Sequence, residues 1–316
     1  MNYDVIVIGA GPAGIYASLI IQKGTPVQSV SEEFSIKVIE ASERPGGLTK
    51  YAFIQIAKSW AFHGRNLIGS LYKESLEAGV EYSFSEAVTS ITKSDNSTLF
   101  CVKTNKNIYS AKYVIIATGI VPFPDILNTP EKTNIGLHTP KEMAREAIQE
   151  YGWKKVVVVG NHEGSIMELC DNLQAYFDSV GYYLLGDVTI ETPNFGLPPR
   201  LLEDNDGIIF DYNSFKLKNG STHFLGELGI EMMNGYVVTD KFGETRIPNL
   251  FAVGTVTAPT SGVMAAVYTA QITAFEIGRR LRITTKADPS GRFPFFPREK
   301  FWNDSYQSHL KQREEV

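Results

Sequence analysis

The chain opens with an apolar run that leads into a glycine-rich turn and then into a helix pattern. Residues 5–8 are Val-Ile-Val-Ile, which favour a buried strand. Gly9, Gly11 and Gly14 follow with the spacing Gly-x-Gly-x-x-Gly, and apolar residues then recur at helical spacing from Ile15 onward. The order strand, glycine turn, helix is typical of a dinucleotide-binding βαβ unit.

Each glycine of this turn has its own expected role. Gly9 permits the tight turn, Gly11 lets a pyrophosphate approach the main chain, and Gly14 allows the helix and strand to pack closely. The phosphates would lie at the amino end of the helix, where free N–H groups and the helix dipole favour anions.

The next predicted strand, residues 35–40, ends at an acidic residue. Glu40 can accept hydrogen bonds from the hydroxyls of an adenosine ribose. The distance along the chain from Gly14 exceeds the usual ~20 residues, and the polar run 25–34 is predicted to be a loop insertion. A βαβ unit without a ligand is the alternative, and the intact glycines and acid argue against it.

The segment after Glu40 mixes a turn with aromatic and basic residues. Pro45-Gly46-Gly47 predicts a turn that lets the main chain run close to a long cofactor. Residues 49–63 either line a flat ring or belong to the core. A helix is predicted over 66–78, with its apolar residues directed inward, namely Leu67, Ile68, Leu71 and Leu76.

Alternating apolar and polar residues then predict an antiparallel meander. Its four strands are expected at 80–84, 87–92, 98–104 and 107–110. A buried strand follows at 112–119 and ends in the small residues Ala117, Thr118 and Gly119.

Two further segments repeat the strand-and-glycine pattern. Residues 153–160 form a strand pattern ending at Gly160. Residues 247–254 form another, ending at Gly254, and an apolar helix pattern covers 261–278.

Length, charge and cysteine content exclude several classes of protein. The 316 residues suit about two domains, and the net charge of −5 gives no reason to expect nucleic acid as a partner. No apolar run reaches the roughly 18 residues of a membrane span, so we expect no membrane association. The sequence enters a strand directly, without a basic segment and cleavage site, which predicts a cytoplasmic protein. Cys101 and Cys170 form neither a disulfide framework nor a metal cluster.

Together these segments resemble the low-molecular-weight thioredoxin reductase group of FAD-dependent pyridine nucleotide-disulfide oxidoreductases, which includes the ferredoxin–NADP reductases of thioredoxin reductase type. The resemblance rests on the first glycine turn, Glu40, Gly46-Gly47, the 117–119 turn and the strand ending at Gly254. It implies an α/β fold of two Rossmann-like, three-layer ββα dinucleotide-binding domains.

The resemblance also implies how the domains follow along the chain. A discontinuous FAD domain is expected at 1–119 and 247–285. A shortened, degenerate NAD(P)H-binding-like domain is expected at 120–246, and a tail at 286–316. Members of the group pair through their FAD domains, so a homodimer is expected, and a reduced protein such as ferredoxin is a possible electron donor.

FAD is the cofactor that the resemblance implies. Val88 would lie near the adenine, and the helix near Val263 would direct its N–H groups at the flavin pyrimidine, where a reduced flavin carries negative charge. Neither a metal site nor a catalytic residue is assigned. The expected cofactor-binding residues are Gly9, Gly11, Pro12, Ala13, Gly14, Glu40, Ala41, Gly46, Gly47, Leu48, Val88, Ala117, Thr118, Gly119, Gly254, Thr255, Val263 and Met264.

The chain departs from the group at the parts that move electrons. Thioredoxin reductases carry Cys-x-x-Cys in the second domain, whereas this chain has only Cys101 and Cys170, both expected to be small buried hydrophobes. The second glycine turn reads Gly160-x-His162-x-x-Ser165, and a side chain at His162 should obstruct a pyrophosphate. Glu163 adds negative charge there.

Other departures concern the nucleotide and the flavin. The strand predicted at 181–186, after the second glycine turn, is not followed by an arginine cluster that could bind a 2′-phosphate. The next arginine along the chain is Arg200. NAD(P)H binding is therefore doubtful. Residues 207–218 are expected to supply one or two strands. Thr255 replaces an aspartate that bonds the ribityl chain in the group. The aromatic tail, 293–302, either covers the flavin or docks on the second domain or on the dimer surface.

Three functions stay open from the sequence. The first is an FAD enzyme that moves electrons through the flavin without a protein dithiol, taking them from a nicotinamide nucleotide or from a reduced protein. The second is a redox-quiet FAD-binding sensor or assembly partner. The third is an NAD(P)H-dependent reductase of a small disulfide that works through a single thiol.

Overall fold

The computed structural model describes most of the chain. The described residues are 1–24, 34–57, 59–93, 98–120, 133–135, 139–186, 197–217, 222–257 and 262–284. Of the predicted loop insertion at 25–34, residues 25–33 lie outside them, and so does the predicted tail at 286–316 with its aromatic part at 293–302.

A parallel sheet with the amino-terminal strand inside it organises the first half of the chain. Strand β1 lies between β2 and β8, and all three run parallel. Val5 and Ile6 of β1 are fully buried because both faces of the sheet are covered. The strand order is β5-β2-β1-β8-β7-β6, and β15 also pairs with β8. The strands of this sheet are β1 (Asn2–Ile8), β2 (Ile36–Ile39), β5 (Glu81–Ser83), β6 (Val88–Lys93), β7 (Phe100–Thr104), β8 (Ile108–Ile116) and β15 (Leu250–Ala252).

The long strand β8 joins two layers. Its first half pairs antiparallel with β7, where Phe100 lies opposite Ala111. Its second half pairs parallel with β15, where Leu250 lies opposite Val114. The predicted break between strands at 107–110 and 112–119 is therefore wrong, because one continuous strand serves both partners.

The meander contains three strands rather than the four predicted. Strands β6, β7 and the start of β8 run antiparallel, but β5 pairs parallel with β2 at the sheet edge. Side chains of the meander, such as Phe100 and Val102, pack against Ile6 and Ile116 of the parallel strands.

Three helices cover the other face of the parallel strands. They are α1 (Pro12–Lys23), α2 (Gly64–Glu77) and α7 (Val263–Thr284). Ile15, Ile68 and Ala270 of these helices join one apolar cluster with Val5 and Val7. Helix, parallel sheet and meander together give the predicted three-layer ββα architecture. Leu76 is 45% exposed, contrary to prediction, because it lies in the last turn of α2.

Residues between Gly47 and Gly64 form a 3₁₀ turn and a hairpin. The 3₁₀ helix covers Gly47–Tyr51, and β3 (Phe53–Ala57) pairs antiparallel with β4 (Trp60–His63). The alternative that residues 49–63 belong to the core is wrong at Trp60, which is 55% exposed.

A second, fully parallel sheet has the order β11 (Ser179–Leu184), β10 (Lys155–Gly160), β12 (Gly207–Phe210), β9 (Thr133–Ile135). Helices α3 (Pro140–Tyr151) and α4 (Glu163–Leu173) cover one face, where Trp153, Ile166 and Cys170 are buried together. Of residues 207–218, for which one or two strands are predicted, the described part contains one strand, at Gly207–Phe210, and a short helix, at Tyr212–Leu217, that the sequence does not predict. Further elements around this sheet are α5 (Pro199–Asp204) and α6 (Tyr212–Leu217).

A few short elements complete the described structure. They are a 3₁₀ helix at His223–Leu228, the hairpin of β13 (Met232–Met233) and β14 (Tyr236–Val237), and a 3₁₀ helix at Gly254–Val256. Among the helices described, none is both long and apolar enough to cross a membrane.

Candidate functional site

The first glycine turn connects β1 to α1 and is tightly packed on two sides. Gly9 has φ of 107°, and a Cβ on it would lie 2.5 Å from the carbonyl oxygen of Ala117. A Cβ on Gly14 would collide with the carbonyl oxygen of Gly9. Both positions therefore require glycine, because the turn, α1 and the end of β8 touch one another.

Gly11, between these two glycines, faces open space. Within the described part of the chain, no atom lies within 4 Å of the position that a Cβ would take on Gly11. Gly11 is the N-cap of α1, and no side chain hydrogen-bonds to the first amides of this helix. Uncapped N–H groups beside open space are what a phosphate-binding turn needs. The turn thus fits the pyrophosphate of a dinucleotide.

Glu40 lies buried at the end of β2 and fixes the same turn. Its Oε2 accepts a hydrogen bond from the Ala10 amide at 2.6 Å. Its Oε1 accepts bonds from the Ser42 amide and hydroxyl, both at 2.8 Å. A carboxylate can accept about four hydrogen bonds, so a position remains for a ribose hydroxyl. Ala41, which lies between Glu40 and Ser42 in the chain, is partly exposed.

The second pair of glycines comes directly to the first turn. Gly46 donates its amide proton to the carbonyl oxygen of Ala10 at 2.7 Å. A Cβ on Gly47 would lie 3.9 Å from the Cα of Gly11. Gly46 and Gly47 have φ of 115° and 51°, which glycine adopts without strain. The main chain of Gly46 and Gly47 therefore passes beside the open space at Gly11.

Residues from the far half of the chain close the other side. Gly119 has φ of 68°, and a Cβ on it would lie 3.6 Å from Oγ1 of Thr255. A Cβ on Gly254 would lie 2.9 Å from Cβ of Ala13, the second residue of α1. The Gly254 amide donates to Oγ1 of Thr269 at 2.9 Å. Strands β8 and β15 thus bring the 117–119 turn and the 254–255 turn to α1.

The remaining predicted residues lie around this centre with different exposures. Leu48 packs against the apolar cluster of the second sheet. Val88 is buried in the meander core, two residues after Glu86, whose amide donates to the carbonyl oxygen of Glu40 at 3.0 Å. Val263 begins α7, and the neighbouring Met264 is 55% exposed.

The second glycine turn, between β10 and α4, is closed by the protein's own side chains. The hydroxyl of Ser214 accepts hydrogen bonds from the Asn161 amide at 2.6 Å and the His162 amide at 2.5 Å. Nδ1 of His162 accepts a bond from the Ser165 amide at 3.3 Å and so caps α4. A Cβ on Gly160 would lie 2.5 Å from Oγ of Ser214. The amides of His162 and Ser165 are therefore already paired, whereas the Asn161 amide is paired in the same way as the corresponding Ala10 amide of the first turn.

Acidic groups add to this closure. Glu163 lies in the first turn of α4. Asp211 follows β12, is 3% exposed, and donates its amide proton to the carbonyl oxygen of Val159 at 2.9 Å. Burial raises the pKa of the Asp211 carboxyl. A nucleotide phosphate would thus meet carboxyl groups instead of a free helix end.

Sequence reasoning identified His162 but missed Ser214. The pattern Gly-x-His is local and can be seen directly, whereas Ser214 comes from α6, on the strand-helix unit that follows β10 in space. No sequence spacing points to it.

The two cysteines lie on different elements, Cys101 on β7 and Cys170 on α4, and they form no disulfide with each other. Cys170 is 3% exposed on α4, and its thiol lies 3.8 Å from the carbonyl oxygen of Gly181. Burial, helped by nearby negative charges, raises the pKa of Cys170 to about 11, so the group stays a thiol and is a poor nucleophile. Cys101 is exposed on β7, so the prediction that both cysteines are buried holds for Cys170 and is wrong for Cys101.

The sequence pattern of one protein family matches the chain over both glycine turns. This family is described as pyridine nucleotide-disulphide oxidoreductase, and the match covers residues 6–180. The chain belongs to this family. Membership confirms the predicted enzyme class, an FAD-dependent oxidoreductase similar to thioredoxin reductases.

Individual relatives in this family carry two kinds of name. The chain is 24% identical over 293 residues to a ferredoxin–NADP reductase of Streptococcus suis, covering 80% of this chain and 85% of the relative. It is also 24% identical over 286 residues to a thioredoxin reductase of Mycoplasmopsis pulmonis, covering 80% and 88%.

Solved structures of the family share the fold. The thioredoxin reductase of T. acidophilum matches with a TM-score of 0.55 and 20% identity, over 89% of this chain and 99% of the other. The thioredoxin reductase of Streptococcus pyogenes MGAS5005 matches with a TM-score of 0.52 and 22% identity, over 89% and 98%. The predicted fold class, with two dinucleotide-binding domains, is thereby confirmed.

Proposed function

We propose that the chain is an FAD enzyme of thioredoxin reductase type that passes electrons through the flavin without a protein dithiol. We further propose that its second glycine turn binds NAD(P)H poorly or not at all. The contrast between the two turns supports both statements. Helix α1 begins with uncapped amides beside the open space at Gly11, whereas α4 is capped by His162 and its turn amides are bound by Ser214.

The residues around the first turn fit FAD. The amides at the start of α1 suit the pyrophosphate, and Glu40 retains an acceptor position for the adenosine ribose. Gly46 and Gly47 leave room for the main chain to pass the cofactor, and Gly119 with Thr255 suits the ribityl side. When bound, FAD supplies one- and two-electron redox chemistry at its ring. The protein's own contribution is to bind, orient and shield it.

A reduced protein such as ferredoxin is the electron donor that we propose. The Streptococcus suis relative carries the name ferredoxin–NADP reductase. The buried Cys170 argues against the single-thiol disulfide reductase, because its pKa is raised to about 11. An NAD(P)H-driven route would require the 160–165 turn to open.

Anaerobic reduction of the purified protein tests this function. We expect yellow protein that releases FAD on denaturation. Its absorbance should bleach rapidly with reduced ferredoxin and slowly with micromolar NADPH or NADH. Rapid bleaching by micromolar NADPH would contradict the proposed closure of the second turn. Bleaching by dithionite but by none of the biological donors would favour the redox-quiet FAD-binding protein.

We also propose a homodimer, as the resemblance implies. Met264 and Tyr268 lie one turn apart on α7 and are 55% and 65% exposed, which gives the FAD domain an apolar face. Light scattering of Tyr268→Glu should show loss of the dimer, whereas Tyr182→Glu, on β11, should keep it. The domain boundaries and the cytoplasmic location stay predictions.

A further inference from the structure

We propose that Lys50 supplies the positive charge that holds the diphosphate of the dinucleotide at the first glycine turn. The inference deepens the proposed function, since it rests on FAD binding at that turn. Lys50 lies in the 3₁₀ helix Gly47–Tyr51, which directly follows the second pair of glycines.

The position of Lys50 follows from three contacts. Its Cβ lies 3.0 Å from the place that a Cβ would take on Gly46. Gly46 is hydrogen-bonded to Ala10 of the first turn at 2.7 Å. A Cβ on Gly47 would lie 3.9 Å from the Cα of Gly11. The stem of Lys50 therefore starts beside Gly46, where Ile68 of α2 also packs, and Gly46 is the chain neighbour of the glycine that borders the open space at Gly11. The proposal requires the long, flexible lysine side chain to extend from there to the phosphates.

Lys50 lies within the electrostatic influence of three charged side chains. Glu40 comes from the end of β2, and Glu43 and Arg44 come from the loop that follows it. Arg44 and Glu43 are exposed, whereas Lys50 is half-buried. A cation near the Glu40 carboxylate would strengthen the binding of a diphosphate there, because the helix N–H groups carry only partial charge.

The buried setting makes this charge sensitive to pH. Burial lowers the pKa of Lys50 to about 8, against the attraction of Glu40 and Glu43, and with the repulsion of Arg44. The ammonium is thus mostly present at pH 7 and mostly lost at pH 9. FAD binding favours the charged form, so FAD affinity should fall as pH rises through this range.

Equilibrium binding to the cofactor-free protein tests the inference. The dissociation constants of FAD and ADP are measured by fluorescence and calorimetry at pH 7 and pH 9. The unmutated chain should bind both less tightly at pH 9. Lys50→Met should weaken both about tenfold or more at pH 7 and show little further loss at pH 9. Lys50→Arg should bind at both pH values, since a guanidinium keeps its charge.

Control variants and contrary outcomes separate the possible explanations. Lys73→Met, on the exposed face of α2, should leave both affinities unchanged. Equal FAD affinity of Lys50→Met and the unmutated chain, or a loss for FAD without a loss for ADP, overturns the inference alone. An unmutated chain that binds no FAD overturns the proposed function and the inference together. Because the pH profile of the unmutated chain is itself a readout, the test stands even if Lys50→Met folds poorly.

Discussion

The hydroxyl of Ser214 accepts a hydrogen bond from the main-chain amide of His162 at 2.5 Å, across two neighbouring strand–helix units. The same hydroxyl accepts the Asn161 amide at 2.6 Å. A serine side chain thereby binds two main-chain amides of the second glycine turn. The strand–turn–helix order of a nucleotide-binding unit is present between β10 and α4, and amides of its turn are bound by the protein's own side chains.

Replacing Ser214 should therefore lower stability. In Ser214→Ala, the buried amide of Asn161 and the partly buried amide of His162 lose their acceptor, and an unsatisfied buried group costs about 1–3 kcal/mol. We expect the free energy of unfolding, measured in urea, to fall by at least about 1 kcal/mol. Ser179→Ala, at the exposed start of β11, should change it by less than about 0.5 kcal/mol. Equal effects of the two variants would show that the hydroxyl is not an important acceptor.

Opening the second turn should restore nucleotide binding. The double variant His162→Gly with Ser214→Ala removes the imidazole and frees the turn amides. Hydrogen bonds to a charged phosphate are worth about 1.5–3 kcal/mol each, so NADPH should bind at least about tenfold more tightly than to the unmutated chain. Calorimetric titration measures this. An unchanged or weaker affinity would mean that other groups, such as Glu163 or Asp211, exclude the nucleotide.

The first turn should lose its cofactor when Gly11 gains a side chain. The φ of Gly11 is −73°, and no described atom lies within 4 Å of the Cβ position, so Gly11→Val should fold normally. The valine would fill the space intended for the pyrophosphate, and the protein should be purified colourless. Gly181→Val, on strand β11 and equally uncrowded, serves as the matched control and should remain yellow. Full flavin content in Gly11→Val would place the cofactor elsewhere.

The difference between these two turns shows what sequence alone can predict. Gly9, Gly11 and Gly14 lie within six residues, and their roles follow from one local rule about backbone space. His162 is visible for the same reason. Ser214 lies 53 positions from Asn161, and only the folded order of β10 and β12 brings them together.

The errors in the predicted sheet have a similar cause. Residues 80–84 alternate like a meander strand, yet β5 pairs parallel with β2, because strand partners depend on the path of α2 and not on the alternation. The predicted strands 107–110 and 112–119 leave a break at Ala111, yet β8 is continuous, since it changes its partner from β7 to β15 there. Leu76 fits the helical period but lies at the end of α2, beyond the core.

The two thiols should differ sharply in reactivity. Cys101 is exposed, and Cys170 is buried with its pKa raised to about 11. At pH 8, a thiol-specific reagent should label Cys101 quickly and Cys170 only after unfolding. Cys101→Ser should remove the fast phase, and Cys170→Ser should leave the rate of flavin reduction unchanged. Fast labelling of Cys170 in the native protein would revive the single-thiol reductase.

An ion-pair network connects α7 to the segment before β15. We expect its contribution to stability to depend on pH. Arg280 donates to Glu244 through Nη1 at 2.7 Å and Nη2 at 2.6 Å, and to Glu276 through Nε at 2.7 Å. Burial alone would raise the pKa of Glu244, but the hydrogen bonds from Arg280 and Asn249 outweigh it and lower that pKa. Bonds from Arg279 and Arg280 likewise lower the pKa of Glu276.

Replacing Arg280 should therefore lower the free energy of unfolding mainly at pH values above the pKa values of Glu244 and Glu276. At pH 7, Arg280→Met should lower the free energy of unfolding by about 1–3 kcal/mol, since two partly buried carboxylates lose a charged donor. A lowered folded-state pKa stabilises the protein above the ordinary value near 4.5 and loses this effect as pH falls. The difference in the free energy of unfolding between Arg280→Met and the unmutated chain should thus become smaller from pH 7 to pH 4. Arg246→Met, which breaks an exposed pair with Glu231, should cost less than about 1 kcal/mol. If the Arg280→Met gap stays constant over this pH range, the arginine acts through packing on Phe251 rather than through its charge.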